Sequence, residues 1–297
     1  MTLAALKIGI TIISIGRCTF PVNVMTKYHP TGIVGSVFKL LRLARRMNSE
    51  SSDPQASSVK RLVAGGESFA EESRAFLEEV WGVPAYNTYG STEGTMSGEC
   101  HKKVGLHVPE DTVHLDVYDP TMGHFVRDGE CGRIVLTTLL PPGGKTGTLL
   151  LNYDTEDTTL VLSRDRCPCG RTHLRITLPQ REAETAWVAS TPFNRVDVEK
   201  GVFQRENMDY LTGEYEASLY ADGGKTTLQV STECLNISAC EKELVKENFL
   251  KSFLQHRPML AEARQDGAFD IVFHFTKPGG LELSPSEGRP KRLVDRR

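Results

Sequence analysis

The stretch Tyr86-Asn87-Thr88-Tyr89-Gly90-Ser91-Thr92-Glu93-Gly94 decides how this chain is interpreted. A strand-like run leads into a glycine-punctuated turn that presents two hydroxyls and a carboxylate. Mg²⁺ prefers oxygen ligands, usually one or two carboxylates together with substrate phosphates. The turn is therefore a candidate magnesium or polar-ligand site. The alternative is an ordinary strand-to-loop turn, because Gly, Ser and Thr are common in turns.

A second glycine turn precedes the first. Arg61-Leu62-Val63-Ala64 predicts a strand that ends in the turn Gly65-Gly66-Glu67. Ser68 with Glu71 predicts a capping box that starts a helix, and Pro84 to Thr88 predicts the next strand. Ligands of open α/β sheets bind beyond the carboxyl ends of the strands. Both turns are therefore expected at the ligand-binding edge of a sheet.

Local patterns predict the remaining elements. Lys7 to Ile15 is β-branched and apolar on both faces, which indicates a buried parallel strand. Pro30-Thr31 opens an amphipathic helix that includes Ile33 to Ala44. One further helix is predicted over Ala239–His256. Alternation and turn signals predict strands over Val113–Tyr118, Arg133–Thr138, Thr148–Tyr153, Thr158–Leu162, Thr212–Tyr220, Thr226–Ser231 and Phe269–Phe275.

Length and composition set the class of protein. A chain of 297 residues accommodates two domains, and 39% apolar with 25% charged residues is typical of a globular protein. The net charge of −3 argues against a nucleic-acid partner. No run reaches the roughly 18 apolar residues of a membrane span. Seven cysteines, an odd number with one close pair, indicate a reducing compartment, and we expect a cytoplasmic protein.

Four of the Cys and His residues form a candidate metal site. Cys167-x-Cys169 is a close thiol pair, and Cys100 and His107 follow the central turn. Cys and His are the usual ligands of structural zinc, and four of them close a tetrahedral site. His101 and Cys131 compete as ligands, and the alternative is four unrelated residues. A zinc ion here would have a structural role, pinning the β-rich region to the loop after the central turn.

Tyr-Gly-Ser-Thr-Glu, residues 89–93, resembles the signature of the adenylate-forming enzymes, the acyl- and aryl-CoA ligases and their relatives. Gly65-Gly66-Glu67-Ser68 is similar to their upstream turn. Asn152-Tyr153-Asp154-Thr155-Glu156-Asp157 is similar to their tyrosine-x-threonine-glycine-aspartate ribose motif. The order of these motifs makes the resemblance specific, and it covers the chain from about residue 8 to its end. Some phenylacetate-CoA ligase-like proteins also resemble the metal-site pattern.

The phenylacetate-CoA ligase-like branch matches best, and within it the coenzyme F-390 synthetases. Residues 129–138, 154–158 and 203–210 carry this match. The resemblance implies an α/β fold with the C-terminal part of the large N-domain (an α/β sheet plus a β-rich subdomain) followed by a small α+β lid domain. The implied divisions are residues 1–178 for the partial AMP-binding large domain, 179–184 for the hinge and 185–297 for the lid.

The resemblance also assigns roles to residues. Glu93 would hold Mg²⁺ against the phosphates of ATP, Thr92 would bond the α-phosphate, and Asp157 would accept hydrogen bonds from the ribose hydroxyls. Arg181, at the start of the hinge, could also reach the ribose. The adenine side of the implied site comprises Gly65, Gly66 and Glu67, whose backbone faces the base, Tyr89, which would stack on it, and the adjoining Gly90 and Ser91.

The implied reaction is attack of an oxygen nucleophile on the α-phosphate of ATP with release of pyrophosphate. In coenzyme F-390 synthetases the acceptor is the deazaflavin coenzyme F-420, whose adenylylation gives coenzyme F-390. One alternative is an aryl-CoA ligase of the phenylacetate-CoA ligase type, with an aromatic acid as acceptor. The other is a catalytically inactive fragment or subunit that binds a nucleotide or a partner chain.

Three departures from the family pattern bear on activity. The chain has no Ser/Thr/Gly-rich phosphate loop ending in lysine, so an upstream segment or a companion chain is expected to supply it. The family's C-terminal catalytic lysine position is occupied by Arg289, and Lys291, two residues later, is the candidate substitute. The hinge position holds Ala183 between two glutamates, which slightly favours a synthetase that stops at the nucleotidyl product.

Overall fold

The computed structural model of the chain describes residues 7–16, 21–67, 69–93, 96–139, 148–282 and 292–297. The helices are α1 (Pro21–Tyr28), α2 (Val37–Ser49), α3 (Glu71–Trp81), α4 (Arg195–Val202), α5 (Ala239–His256) and α6 (Pro258–Gln265). The strands are β1 (Gly32–Gly35), β2 (Arg61–Gly65), β3 (Ala85–Gly90), β4 (Met96–Glu99), β5 (Leu106–His107), β6 (Val113–Asp119), β7 (His124–Phe125), β8 (Cys131–Thr138), β9 (Tyr153–Ser163), β10 (Arg175–Ile176), β11 (Gln180–Arg181), β12 (Thr185–Val188), β13 (Thr191–Asn194), β14 (Leu211–Asp222), β15 (Lys225–Cys234), β16 (Phe269–Thr276) and β17 (Val294–Asp295).

One large sheet joins the α/β part of the chain to its β-rich part. Its strand order is β1-β2-β3-β4-β5-β10-β9-β8-β6-β7, with β11 added to β9. The pairs β1–β2 and β2–β3 are parallel, and all later pairs of this sheet are antiparallel. The parallel pairs follow from the connections, because α2 and α3 carry the chain back between β1, β2 and β3. Both parts of the predicted α/β fold are confirmed.

The C-terminal unit is the predicted small α+β arrangement. Its sheet has the order β16-β15-β14-β17, and α5 and α6 lie between β15 and β16 in the chain. The helix predicted over Ala239–His256 is found with those bounds, since Ser238 and Glu241 form a reciprocal capping box.

Two apolar cores stabilise the chain. One lies in the β-rich part, around Val113, Ile134 and Val161. The other runs from α2 and α3 into the C-terminal sheet, where Phe38 makes edge contacts with Phe203 and Tyr215 at 6.1 Å between ring centroids. The C-terminal unit therefore packs on the helix-covered face of the parallel strands. The division at residues 179–184 stays a prediction.

Two predictions near the start of the chain are wrong. Residues 7–16 form no strand, and Ile8, Ile10, Ile13 and Ile15 are 73%, 52%, 44% and 40% exposed. An apolar β-branched run becomes a buried parallel strand only beside neighbouring strands, and none pairs with it among the described residues. The helix predicted to include Ile33 is preceded by β1, and α2 starts at Val37.

Two other local predictions are also corrected. The N-cap of α3 is Ala70, so the predicted capping box is not what starts this helix, and Ser68 itself lies outside the described residues. The segment predicted as a strand over Thr148–Tyr153 is irregular up to Asn152, and β9 begins at Tyr153. Gly82 ends α3 at φ 64°, in the left-handed region that glycine adopts freely.

Within the described residues, no helix combines the length and apolar character needed to cross a bilayer.

Two hairpins of the C-terminal unit have the same turn geometry and different turn chemistry. Gly223 and Gly224 connect β14 to β15 at φ 56° and 85°, whereas Ala189 and Ser190 connect β12 to β13 at φ 47° and 61°. Left-handed backbone is costly for residues with a Cβ, and Asn-Gly is preferred in such turns.

We therefore expect the double substitution Ala189→Asn with Ser190→Gly to raise the free energy of unfolding by about 1 kcal/mol. Urea denaturation measures it. The matched control is Gly223→Ala with Gly224→Ser, which should lower stability by a similar amount. A lower stability for the Asn-Gly variant would contradict the turn argument.

Candidate functional site

The two glycine turns lie side by side at the carboxyl ends of β2 and β3, as expected. Gly65 pairs with Thr88 across these strands. A Cβ on Gly65 would lie 2.2 Å from the Thr88 side-chain hydroxyl, so only glycine fits there. Gly66 follows at φ 85°, in the left-handed region that glycine adopts freely. The close approach brings the two turns into one site.

The central turn is joined directly to the predicted ribose carboxylate. The Tyr89 hydroxyl donates to Asp157 Oδ2 at 2.5 Å, and Asp157 is 6% exposed. Arg181 pairs with Asp157 in the β9–β11 ladder, and its Nε lies 3.7 Å from Oδ1. Burial, together with the hydrogen bond to Asp157, raises the pKa of Tyr89 well above its usual range. Three residues predicted from separate motifs therefore meet.

Local hydrogen bonds hold the turn before Asp157. Asp154 Oδ1 accepts from the Glu156 N–H at 2.9 Å, and the Thr155 hydroxyl accepts from the Asp157 N–H at 3.2 Å. Glu156 has φ 58° at the position where the family motif has glycine. The structural role of Thr155 was missed by the sequence reasoning, although its presence in the motif was a usable signal.

Thr92 and Glu93 follow at the accessible end of this site. The Thr92 hydroxyl donates to Glu93 Oε1 at 3.1 Å. A hydrogen bond from its own backbone N–H is the largest cause that lowers the pKa of Glu93, and Arg181 also lowers it. Glu93 is therefore an ionised carboxylate beside a hydroxyl, a donor set that suits Mg²⁺. Gly90 ends β3 and Ser91 continues the turn.

Glu67 is placed differently from the rest of its turn. Its carboxylate is 3% exposed, and Arg195 Nη1 from α4 lies 3.1 Å from its Oε2. The side chain therefore points to the C-terminal unit, while the backbone of the turn remains the part offered to a base. Nothing in the local sequence around Arg195 indicated this partner.

The four predicted metal ligands form one compact group. Their ligand atoms all lie within 4.8 Å of one another, and Cys100, His107 and Cys167 are buried. The Sγ atoms of Cys100 and Cys167 are 3.9 Å apart, and Cys169 Sγ is 3.6 Å from His107 Nε2. A zinc–sulfur bond of about 2.3 Å gives a tetrahedral edge of about 3.8 Å. The donor spacing therefore fits zinc.

Three separate stretches supply the four donors of this group. Cys100 follows β4, His107 ends β5, and the thiol pair lies in the loop between β9 and β10. Burial raises the pKa of the Cys100 thiol, whereas a backbone hydrogen bond from Arg171 lowers that of Cys169. Of the described candidates, His101 and Cys131 lie outside the group.

The predicted C-terminal catalytic residues Arg289 and Lys291 lie outside the described residues. Ala183 lies in a short 3-10 helix, Glu182–Glu184, between the two units. Arg133 binds Glu182 at 2.5 Å at one end of this 3-10 helix, and Arg195 lies 3.7 Å from Glu184 at the other.

A protein family and several curated proteins share sequence with this chain. The family described as AMP-binding enzyme matches residues 1–139. A phenylacetate-coenzyme A ligase of Thermus thermophilus is 31% identical over 175 residues, covering 57% of this chain and 38% of the relative. One from Aromatoleum evansii is 25% identical over 298 residues, covering 98% of this chain and 64% of the relative. By these matches the chain is similar to the adenylate-forming superfamily. Among curated proteins it is similar to phenylacetate-CoA ligases, and it spans less than two thirds of the length of these relatives.

Solved structures of adenylate-forming ligases share the fold. A 2-hydroxyisobutyryl-CoA ligase in its postadenylation state matches with a TM-score of 0.75 and 19% identity, covering 95% of this chain and 58% of that one. The same ligase in its thioesterification state matches with a TM-score of 0.54. A benzoate CoA ligase from Burkholderia xenovorans matches with a TM-score of 0.62 and 18% identity, covering 97% of this chain and 56% of that one.

Proposed function

We propose that this chain carries the nucleotide site of an ATP-dependent, adenylate-forming ligase of the phenylacetate-CoA ligase type. The observation that carries the proposal is the 2.5 Å hydrogen bond from Tyr89 to Asp157, with Arg181 opposite. It joins the central signature to the ribose motif in one site. Similarity to phenylacetate-CoA ligases supports an organic acid as the acceptor.

The proposed chemistry is adenylyl transfer. An acceptor carboxylate oxygen attacks the α-phosphorus of ATP, the bond to the bridging oxygen of pyrophosphate breaks, and an acyl adenylate forms. In the second step the thiol of coenzyme A displaces AMP. The chain contributes positioning and charge neutralisation. Mg²⁺ would neutralise phosphate charge when it is bound.

Each residue of the site has a proposed task. Asp157 accepts hydrogen bonds from the ribose hydroxyls, and Tyr89 and Arg181 hold its carboxylate in place. Thr92 donates to the α-phosphate, and the Glu93 carboxylate ligates the magnesium. Stacking of Tyr89 on adenine is compatible with its hydroxyl contact, since its ring borders the β-rich core and is only half-buried.

Adenylylation of the deazaflavin coenzyme F-420 is the second candidate. Ala183 at the hinge favours it, because an enzyme that ends at the nucleotidyl product needs less lid rotation. The relatives reported above are phenylacetate-CoA ligases, so the ligase has more support. The product separates the two candidates: a CoA thioester with AMP, or a nucleotidyl coenzyme with no AMP.

The cradle for the β- and γ-phosphates is proposed to come from an upstream segment or a companion chain. The sequence has no Ser/Thr/Gly-rich run that ends in lysine. Backbone N–H groups in such a run bind phosphate oxygens. Without it, this chain would be the inactive, nucleotide-binding alternative. The catalytic role of Lys291 or Arg289 and the cytoplasmic location stay predictions.

We also propose that Cys100, His107, Cys167 and Cys169 hold a structural zinc ion. The four donors leave no open position for a substrate, which is typical of structural sites. The ion would tie the β9–β10 loop to the β4–β5 hairpin, directly after the central turn.

Nucleotide binding tests the proposed function. Calorimetry with magnesium and ATP is expected to detect binding to the wild-type chain, and Asp157→Asn should weaken it at least tenfold. A hydrogen bond to a charged group contributes about 1.5–3 kcal/mol, and about 1.4 kcal/mol is a factor of ten.

The control is Asp154→Asn, which removes an exposed charge that binds Arg133 and keeps the Oδ1 atom that accepts from the Glu156 N–H. It should leave the dissociation constant within about twofold, since an exposed pair contributes little. Equal affinity of wild type and Asp157→Asn would refute the ribose role. Absence of binding to folded wild type would refute a nucleotide site in this chain alone.

A further inference from the structure

A buried arginine from the C-terminal unit reaches the nucleotide side of the large sheet. Arg195 is the first residue of α4, and its side chain is 3% exposed. Its Nη1 lies 3.1 Å from Glu67 Oε2 in the glycine turn, and its Nε lies 3.7 Å from Glu184 Oε2 in the hinge. One guanidinium therefore bridges the predicted adenine turn, the hinge and α4.

The same helix holds the other end of the segment that follows the turn. Glu199, one helical turn after Arg195, is completely buried. Its Oε1 accepts from the Ser73 hydroxyl at 2.5 Å and from the Ala70 N–H at 3.4 Å. Ala70 is the N-cap of α3, so Glu199 accepts from one of the backbone N–H groups at the start of α3 that have no partner within the helix. The chain from Glu67 to Ser73 is thus held at both ends by α4.

Burial makes these contacts depend on docking of the C-terminal unit. A carboxylate and a guanidinium that lose each other in a buried place remain uncompensated, which is strongly unfavourable. If the C-terminal unit leaves, the buried Glu67–Arg195 pair is broken, and the turn loses this side-chain contact. The turn backbone is then free to relax around Gly65 and Gly66, the residues with the fewest conformational restraints.

We propose that Arg195 is a positioning residue that couples docking of the C-terminal unit to nucleotide binding, by holding Glu67 and with it the Gly65-Gly66 turn. This inference rests on the proposed function for the nucleotide half of the coupling. Linkage is reciprocal, so a nucleotide bound at the turn must in return stabilise the docked unit. Arg195 has no contact with substrate in this role; it acts through Glu67.

Amide hydrogen exchange and calorimetry on three variants test the coupling. Arg195→Met removes the charge at similar length, and Arg195→Lys keeps the charge without the planar fork. Arg205→Met is the matched control, because Arg205 also joins the C-terminal unit to α3, through Glu79 at 2.9 Å, but the side chains of this pair are 53% and 49% exposed.

In the protein without nucleotide, Arg195→Met should raise exchange at residues 61–67 at least tenfold. Arg195→Lys should have an intermediate effect, and Arg205→Met should change it less than twofold. Magnesium-ATP should bind Arg195→Met about tenfold more weakly. Nucleotide should slow exchange in α4 of wild type and fail to do so in Arg195→Met, which a purely structural role would not produce.

Two results overturn the proposal. One is unchanged exchange at residues 61–67 in Arg195→Met. The other is an equal rise of exchange throughout β14 and β15, which would mean that the substitution unfolds the C-terminal unit. If the wild type binds no nucleotide, the proposed function fails and with it the coupling, while the exchange at residues 61–67 still decides whether Arg195 holds the turn.

Discussion

Cys167→Ser is expected to abolish zinc binding and to destabilise the junction between the α/β and β-rich parts of the sheet. The wild-type chain should contain about one zinc per molecule, measured by elemental analysis after dialysis. The Sγ atoms of Cys167 and Cys100 are 3.9 Å apart in a group of four donors, three of which are on buried residues. Loss of one ligand leaves three donors and an open position, which weakens a structural site severely.

The loss of stability should amount to several kcal/mol. Zinc contributes about 10–16 kcal/mol in peptides that fold only with the metal, and a large sheet retains part of its structure without it. Urea denaturation with and without a chelator measures the difference. The chelator should destabilise the wild type strongly and Cys167→Ser little, because the variant has no ion to lose.

Cys131→Ser is the matched control for the zinc prediction. Cys131 is exposed at the start of β8 and lies outside the donor group. The zinc content and the stability of the Cys131→Ser protein should equal those of the wild type. Wild-type protein without zinc, or full zinc content in Cys167→Ser, would contradict the proposed site.

Arg74→Met is expected to lower the free energy of unfolding by about 3–5 kcal/mol. Arg74 of α3 binds both oxygens of Glu99, with Nη1–Oε2 at 2.6 Å and Nη2–Oε1 at 2.8 Å. Both side chains are 6% exposed. Glu99 also accepts from the Asn87 N–H of β3 at 2.6 Å. Removing the guanidinium leaves a carboxylate in a buried place, without its charge partner.

A double-mutant cycle measures this pair. Glu99→Leu combined with Arg74→Met should recover much of the loss, because an apolar pair has no charge to desolvate. Arg46→Met is the surface control, since Arg46 and Glu50 form an exposed pair. Its substitution should lower the free energy of unfolding by less than about 0.5 kcal/mol. Equal losses of stability for Arg74→Met and Arg46→Met would show that the buried pair contributes no more stability than the exposed one.

Much of the candidate site was predictable because its chemistry is encoded in short motifs. Tyr89, Thr92, Glu93 and Asp157 belong to two motifs recognised by residue type and order. The metal group was predictable for a similar reason, since few residue types bind zinc. The sequence favoured Cys100 and kept His101 and Cys131 as competitors, and of these three the structure places Cys100 in the group.

The buried charged contacts could not be predicted. Arg74, Arg195 and Glu199 look like ordinary charged residues of amphipathic helices in the sequence. Their partners are far away in the chain, 128 residues in the case of Arg195 and Glu67. Pairing over such distances depends on which helix faces pack together, and no local pattern records it.

The sequence by itself determined the class of fold, most elements and the chemistry of the site. The helix Ala239–His256 was found as predicted because its capping box and hydrogen bonds are local. Only the tertiary structure decided which distant groups meet, as for Tyr89 and Asp157, and which apolar segments become strands. Residues 7–16 have strand composition without a strand, because a strand is stabilised by neighbours that the segment itself does not contain.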